Sequence, residues 1–578
     1  DEDGKSLNKD IYTKDVLDEA NVSPILQKNI YKSFLSDLDK WKNDEKIIAD
    51  YSVVPYDWRL SLEDILDSGV VDGEKISYIK KSISPYIIKE LRRLASASKS
   101  GKVTIVAHSN GGLLVKALTN KLGEEAQNLI DKIVFVAVPQ IGTPQAIGGL
   151  LHGFDQGLPT DWLSFFVSPK NARTLGKNMS SAYNLLPSNV YFSSNGSAVK
   201  TPVISFEEGS LTNSFINKYG YEIDEPNKLH NFLLDEEGKV SADSDDLASP
   251  SKINSKLLKY GEDTHQVLDD NWIVPSNILV YKIAGFGEET LGKIKYWTGI
   301  ECVKYFHSFC LETKPKLQYS PEMVTDGDGT VVAPSALAMS TDAENVKRYW
   351  VDLFDYNDNN YNREHADILE VEQLRDFIKN NILTQSETTL PKYISDSKPE
   401  NNSEKRLQYI LHSPLALSAF DSVGNEISAT VSNIPRAQYK RFGEAQYISL
   451  PASTNHTVKL DGLADGSFTL EMQELENDEV IAKTTFAGIP TSDKTKAEME
   501  VTDGAIRNTS LLKVDFNGDD AIDFSLEPKV GETVLPPTAE ADQTPPEARM
   551  FFDTKTNGIA VEGIDENPTT VVYAKNLV

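Results

Sequence analysis

Cysteine is nearly absent: 578 residues contain only Cys302 and Cys310. That excludes a scaffold held mainly by disulfides, and no second Cys/His pair stands near them to form a zinc site. Long apolar runs are missing too. Nothing approaches the roughly twenty consecutive apolar residues of a membrane-spanning helix. Positive charge is scarce, with 58 Lys and Arg against 87 Asp and Glu, a net charge of -29 and a pI near 4.7. This balance excludes a nucleic-acid partner, which needs clustered basic residues, and charge-driven docking on an anionic bilayer. No motif requires a cofactor or a resident metal. The first ten residues, DEDGKSLNKD, are polar and read as a chain cut from something longer.

Hydrophobic content of 39% supports at least one sizeable core. A chain this long exceeds one core, and about two to four domains are expected. Residues 1–385 read as alternating strands and helices. IADYSVVPYD is a strand candidate, and YIKKSISPYIIKELRRLASAS is helical. KVTIVAHS, KIVFVAVPQ, NILVYKIAGFG and KRYWVDLFD are apolar runs of the kind buried in parallel sheets. That order implies an α/β core. The rhythm breaks at about 145–275, an insertion long enough to form a cap or lid. Its apolar cluster, with Trp162, Phe165 and Phe166, either faces an apolar substrate or packs the cap onto the core. Residues 386–405 read as a linker, 406–534 as one or two β-sandwich modules, 535–547 as a second linker, and 548–578 as the start of a further, incomplete β module.

The chemistry concentrates in VTIVAHSNGGLLVKAL. Ser109 sits between a buried strand and an amphipathic helix, with small residues, Ala107 and Gly111, two positions to either side. This is a nucleophile elbow, in which a sharp turn lifts the serine hydroxyl above the sheet. The Asn110 backbone N–H then lies free at a helix start, placed to stabilise an oxyanion. A serine needs a base, and the base needs an orienting acid. In this architecture the chain order is serine, acid, histidine. Asp328 in VTDGDGTVVAPSAL is the acid candidate, with Asp326 as its rival; an Asp-rich turn or a Ca²⁺ loop is the other reading of that stretch. His365 in YNREHADILE follows the KRYWVDLFD strand and is the base candidate. Of the other seven histidines, His108 adjoins the serine and is expected to point away from it.

YSVVPYDWRL, AHSNGGLL, SSAYNLLPS, DGDGTV and a late His365 together resemble the lecithin–cholesterol acyltransferase-like branch of the α/β-hydrolases, over roughly residues 1–385. The resemblance implies an α/β-hydrolase core and acyl-ester or lipid chemistry carried by Ser109, Asp328 and His365. It leaves open hydrolysis or acyl transfer. That branch has an early apolar-Pro-Gly strand and loop supplying a second oxyanion N–H. No such segment lies between Asp1 and Tyr51, so the N-terminal strands are expected to be missing. A competing reading is a cell-surface binding protein with a hydrolase-like core and partner-holding β modules. An extracellular or cell-surface location follows from the β modules and a possible Cys302–Cys310 disulfide; two free buried thiols are the alternative. In DFNGDDAID, Asp515, Asn517, Asp519 and Asp523 suggest a Ca²⁺ loop. Leu526 stands where the bidentate Glu belongs, so a hairpin is the better reading.

Overall fold

The computed structural model describes residues 1–578 apart from 9, 24–25, 155–167, 194–201, 237, 241–244, 271, 307, 339–343, 359–360, 401–404, 413, 538–546, 554–557 and 565–578. The central sheet contains β1 (Val103–His108), β2 (Ile130–Val136), β3 (Leu279–Phe286), β6 (Val346–Asp352) and β7 (Ile394–Ser395). Their spatial order is β7-β6-β3-β2-β1, parallel throughout except at β7. Alternation along β2 divides its side chains between two cores. Ile133 and Phe135 pack with Leu113, Leu114 and Leu118 of helix α2 (Asn110–Leu122). Val134 and Val136 pack with Phe34 and Trp41 of α1 (Lys32–Asn43), and with Leu374 and Phe377. Burial on both faces explains why these strands read as unbroken apolar runs.

β1 is an edge strand, and Val103, Thr104, Ile105 and Val106 are only half-buried. The strand candidate IADYSVVPYD departs from its sequence reading, since no strand forms there. β propensity alone does not make a strand without a ladder partner, and the outer edge of β1 stays unpaired among the described residues.

β4 (Thr290–Phe306) and β5 (Phe309–Val324) form one long antiparallel hairpin with Cys302 and Cys310 joined in a disulfide near its tip. β4 also pairs with Ile204–Phe206 of the 145–275 region, whose core includes Tyr183, Tyr191 and Phe232.

Residues 406–534 form two six-stranded sheets facing each other across a shared core. Strand Arg406–His412 is buried along nearly its whole length. Its odd positions, Leu407, Tyr409 and Leu411, enter the module core. Its even positions meet the N-terminal half. Arg406 and Gln408 reach Glu289, Ile410 joins the Tyr296–Tyr319 core, and His412 lies edge-on to Trp297 and Tyr319. The outer face of this sheet is therefore a second core. In DFNGDDAID the hairpin reading matches: Leu512–Asp515 pairs with Phe524–Leu526, and the Asp515 carboxylate accepts the Gly518 and Asp520 N–H groups.

At that junction His412 lies between Glu444, at 2.6 Å, and Glu471, at 3.6 Å, with Lys483 also on Glu471. Burial alone would depress the imidazole, but the two carboxylates overcome it and push its pKa from 6.5 to about 9. The charged imidazole thus stabilises the fold fully below pH 6.5, and that contribution disappears as pH rises to about 9. The thermal unfolding midpoint should fall across that interval, and His412→Gln should flatten the fall. An equally steep fall in the variant would refute the assignment.

Candidate active site

Ser109 joins β1 to α2 with φ 52° and ψ -134°. This backbone conformation is costly for a side-chain-bearing residue and persists only where its surroundings enforce it. The Ser109 N–H donates to Val136 O at 3.1 Å, and its carbonyl accepts the Gly112 N–H at 2.9 Å. Gly112 is required by proximity: a Cβ there would lie 2.2 Å from Val138 Cγ2. Asn110 is the first residue of α2, so its N–H has no acceptor within the helix.

Asp328 lies in the loop that follows β5, fully buried. Its Oδ1 accepts the Thr330 and Val331 N–H groups at 3.1 and 2.8 Å. Its Oδ2 accepts His365 Nδ1–H at 2.9 Å. That leaves His365 Nε2 as acceptor for the Ser109 hydroxyl, 2.8 Å away. The structure thus joins Ser109, His365 and Asp328 in one hydrogen-bonded line. The rival Asp326 instead pairs with Lys398 at 2.6 Å, near the surface. Trp162, Phe165 and Phe166 lie outside the described residues.

His108 takes a part the sequence did not reveal. Its Nε2–H donates to the His365 carbonyl at 2.9 Å, and its Nδ1 accepts the Tyr31 hydroxyl at 2.7 Å. Burial, helped by nearby His365, lowers its pKa to about 3, and burial raises that of Tyr31 to about 12. Both are therefore neutral, and the tautomer of His108 is fixed by its partners. Adjacency to Ser109 was the only signal available for His108; Tyr31 carried none. Glu364, beside His365, accepts Lys28 Nζ at 2.6 Å. The Lys28 charge, aided by Lys440 against the opposing effect of burial, holds its pKa at about 2.

The remaining motifs support this centre. Asp57 and Arg59 of PYDWR form a two-pronged ion pair, at 2.8 and 2.6 Å, and Tyr56 reaches toward Gly111. The SSAYNLLPS segment holds the loop after β2, where Leu185 O accepts the Thr143 N–H at 2.8 Å. Among the described residues no group of three His, Cys, Asp or Glu side chains is arranged to hold a metal, and no helix is long and apolar enough to cross a membrane.

Sheet, elbow and the serine–histidine–aspartate line define an α/β-hydrolase, followed by a β module. The family model for lecithin:cholesterol acyltransferase matches residues 9–372, and the chain belongs to that family. It is 26% identical over 253 residues to phospholipase A(1) LCAT3 of Arabidopsis thaliana, spanning 43% of this chain and about half, 53%, of that protein. Solved structures similar to it include the Tle4–Tli4 complex, at 14% identity and TM-score 0.31, covering 52% of this chain and 63% of that one. Another is the Bacillus licheniformis lipase BlEst2 in its propeptide form, at 11% identity and TM-score 0.23, covering 82% and 84%.

The elbow makes a stability prediction. Gly112→Ala should push α2 off Val138 and cost about 1–3 kcal/mol, lowering the urea midpoint without changing the slope. A wild-type midpoint would mean that the close approach is not required.

Proposed function

We propose that this chain hydrolyses carboxylic esters of lipid type through an acyl-enzyme on Ser109. The observation that carries the reading is the hydrogen-bonded line from Asp328 through His365 to Ser109, ending on a strained elbow. Family membership and the phospholipase relative support the lipid-like substrate class. His365 Nε2 takes the serine proton as Oγ attacks the acyl carbonyl. The Asn110 N–H stabilises the oxyanion, and the imidazolium then protonates the departing alcohol. Asp328 holds the ring and balances its transient charge. Water, activated by the same histidine, releases the acid.

An acyltransferase follows the same steps until the last, when an alcohol replaces water; the family's name keeps that reading in view. The Cys302–Cys310 disulfide supports an extracellular or cell-surface location, since such bonds persist in oxidising compartments.

p-Nitrophenyl esters of graded chain length test the proposal. Wild-type protein should turn them over, and Ser109→Ala should lower kcat by about 10³-fold or more. An added alcohol that diverts product from acid to ester identifies the transferase. A folded wild-type chain that neither hydrolyses esters nor reacts with a fluorophosphonate probe would overturn the proposal and favour a binding role.

A further inference from the structure

The β module packs directly against the loop that carries Asp328. β5 ends at Val324, and the loop begins at Thr325. Asp478, in the turn between two module strands, accepts both the N–H and the hydroxyl of Thr325, each at 3.0 Å. Lys440, on module strand Gln438–Phe442, donates to the carbonyl of Gly329 at 3.0 Å and to that of Glu289 at 2.7 Å. Gly329 follows Asp328 directly and turns with φ 96°. A Cβ added at Gly329 would lie 3.3 Å from Lys440 Nζ, so the ammonium fills the space beside the turn. Lys398, ahead of the module, pairs with Asp326 in the same loop.

The anchor beneath Lys440 is equally specific. Glu289 is 3% exposed, and its carboxylate accepts from Arg406, Gln408, Tyr447 and Ser449, all module residues, at 2.8–3.1 Å. Next to it, Glu288 is hydrogen-bonded by Gln438 of the module and by Asn357 of the hydrolase half. The hydrolase half holds the loop as well: the Gly287 and Glu288 N–H groups donate to the Thr325 and Gly327 carbonyls at 2.9 and 3.0 Å, Thr290 Oγ1 accepts the Gly329 N–H at 2.8 Å, and Thr143 donates to Thr330 O at 2.7 Å. Without the module, a loop with glycines at 327 and 329 would lose the grip of Asp478 on Thr325 and of Lys440 on the Gly329 carbonyl, so that this carbonyl, next to Asp328, would lose the Lys440 ammonium.

We propose that the β module is an internal brace for the acid-bearing loop, and that Lys440 is a positioning residue that holds Asp328 in line with His365 by gripping the Gly329 carbonyl. The inference rests on the reading of Ser109, His365 and Asp328 as the hydrolytic machinery. It assigns the module a role in the reaction through its contact face. The cost of losing the grip falls on alignment: a displacement of about 1 Å in such a site lowers turnover by roughly 10²-fold while leaving substrate binding largely intact.

The test compares the full-length wild type with Lys440→Met, Lys440→Arg and Asp478→Ala. Hydrogen exchange is followed in the peptide covering residues 326–332, alongside ester kinetics. Lys440→Met should speed exchange in that peptide about tenfold, leave the β1–α2 region unchanged, and lower kcat roughly 10–100-fold with KM within about twofold. Lys440→Arg, which can still donate to both carbonyls, should recover most of both effects. Asp478→Ala should loosen the same peptide if Lys440→Met does not fold. Unchanged exchange in a folded Lys440→Met protein overturns the proposal, whatever happens to kcat. Should the wild type hydrolyse no ester, the proposed function fails, and the exchange experiment still decides whether the module holds the loop.

Discussion

Much of the structure depends on burying one carboxylate. Asp328 is wholly out of water, and an unpaired charge there would be prohibitively costly. It is tolerable because three N–H donors converge on it: two from its own loop and one from His365. The His365 N–H also donates to the Asp328 carbonyl at 2.7 Å. The two residues are therefore tied at both main chain and side chain. Any motion that separates them strands a buried charge, so the pair tends to move together or not at all. Serine alignment follows, because His365 is gripped from behind by His108, the residue before Ser109.

The central sheet sets the other half of the geometry. β1 ends where β2 can accept the Ser109 N–H, and α2 leaves immediately, so the strained turn is enforced from both sides. That enforcement is needed because β1 is itself an edge strand with half-exposed side chains. Support reaches the site instead from the N-terminal segment. Tyr31 contacts His108, Lys28 pairs with Glu364, and Ser33 bonds Glu370 through both its N–H and its hydroxyl. The segment that sequence reading expected to lack a strand holds the histidine loop.

What the sequence disclosed, and what it hid, divides by the range of the interactions. Ser109 was legible because an elbow is local: a strand, small residues two positions away, and a helix. Asp328 and His365 were legible through chain order, and the buried strands through unbroken apolar runs. The strand expected at IADYSVVPYD failed because a strand needs a neighbour, which composition cannot report. His108 misled for a related reason. Its partner lies 257 residues away, as Lys28 lies 336 from Glu364 and Lys440 lies 111 from Gly329. Each is an ordinary residue on an ordinary element until the fold brings the other end to it. The double burial of RLQYILH left a trace, since its even positions include Ile410 and His412 where an exposed face would carry charge.

The long β4–β5 hairpin explains how a β module comes to bear on the acid loop at all. At its tip, Cys302 N–H donates to Ser467 Oγ of the module at 3.2 Å, and Ile300 O sits 3.3 Å from where a Cβ at module residue Gly488 would lie. Midway, Tyr319 donates to the Phe442 carbonyl at 2.6 Å and Ser320 to Glu471 at 2.6 Å. At its base, β5 runs straight into the Asp328 loop. A strand is stiff along its length, and this one is held to the module at its tip, middle and base. The position of Asp328 is therefore referenced to the module as well as to the central sheet. A hydrolase half whose strand before Ser109 has one edge unpaired among the described residues gains from a second core, that of the module, a frame for the Asp328 loop.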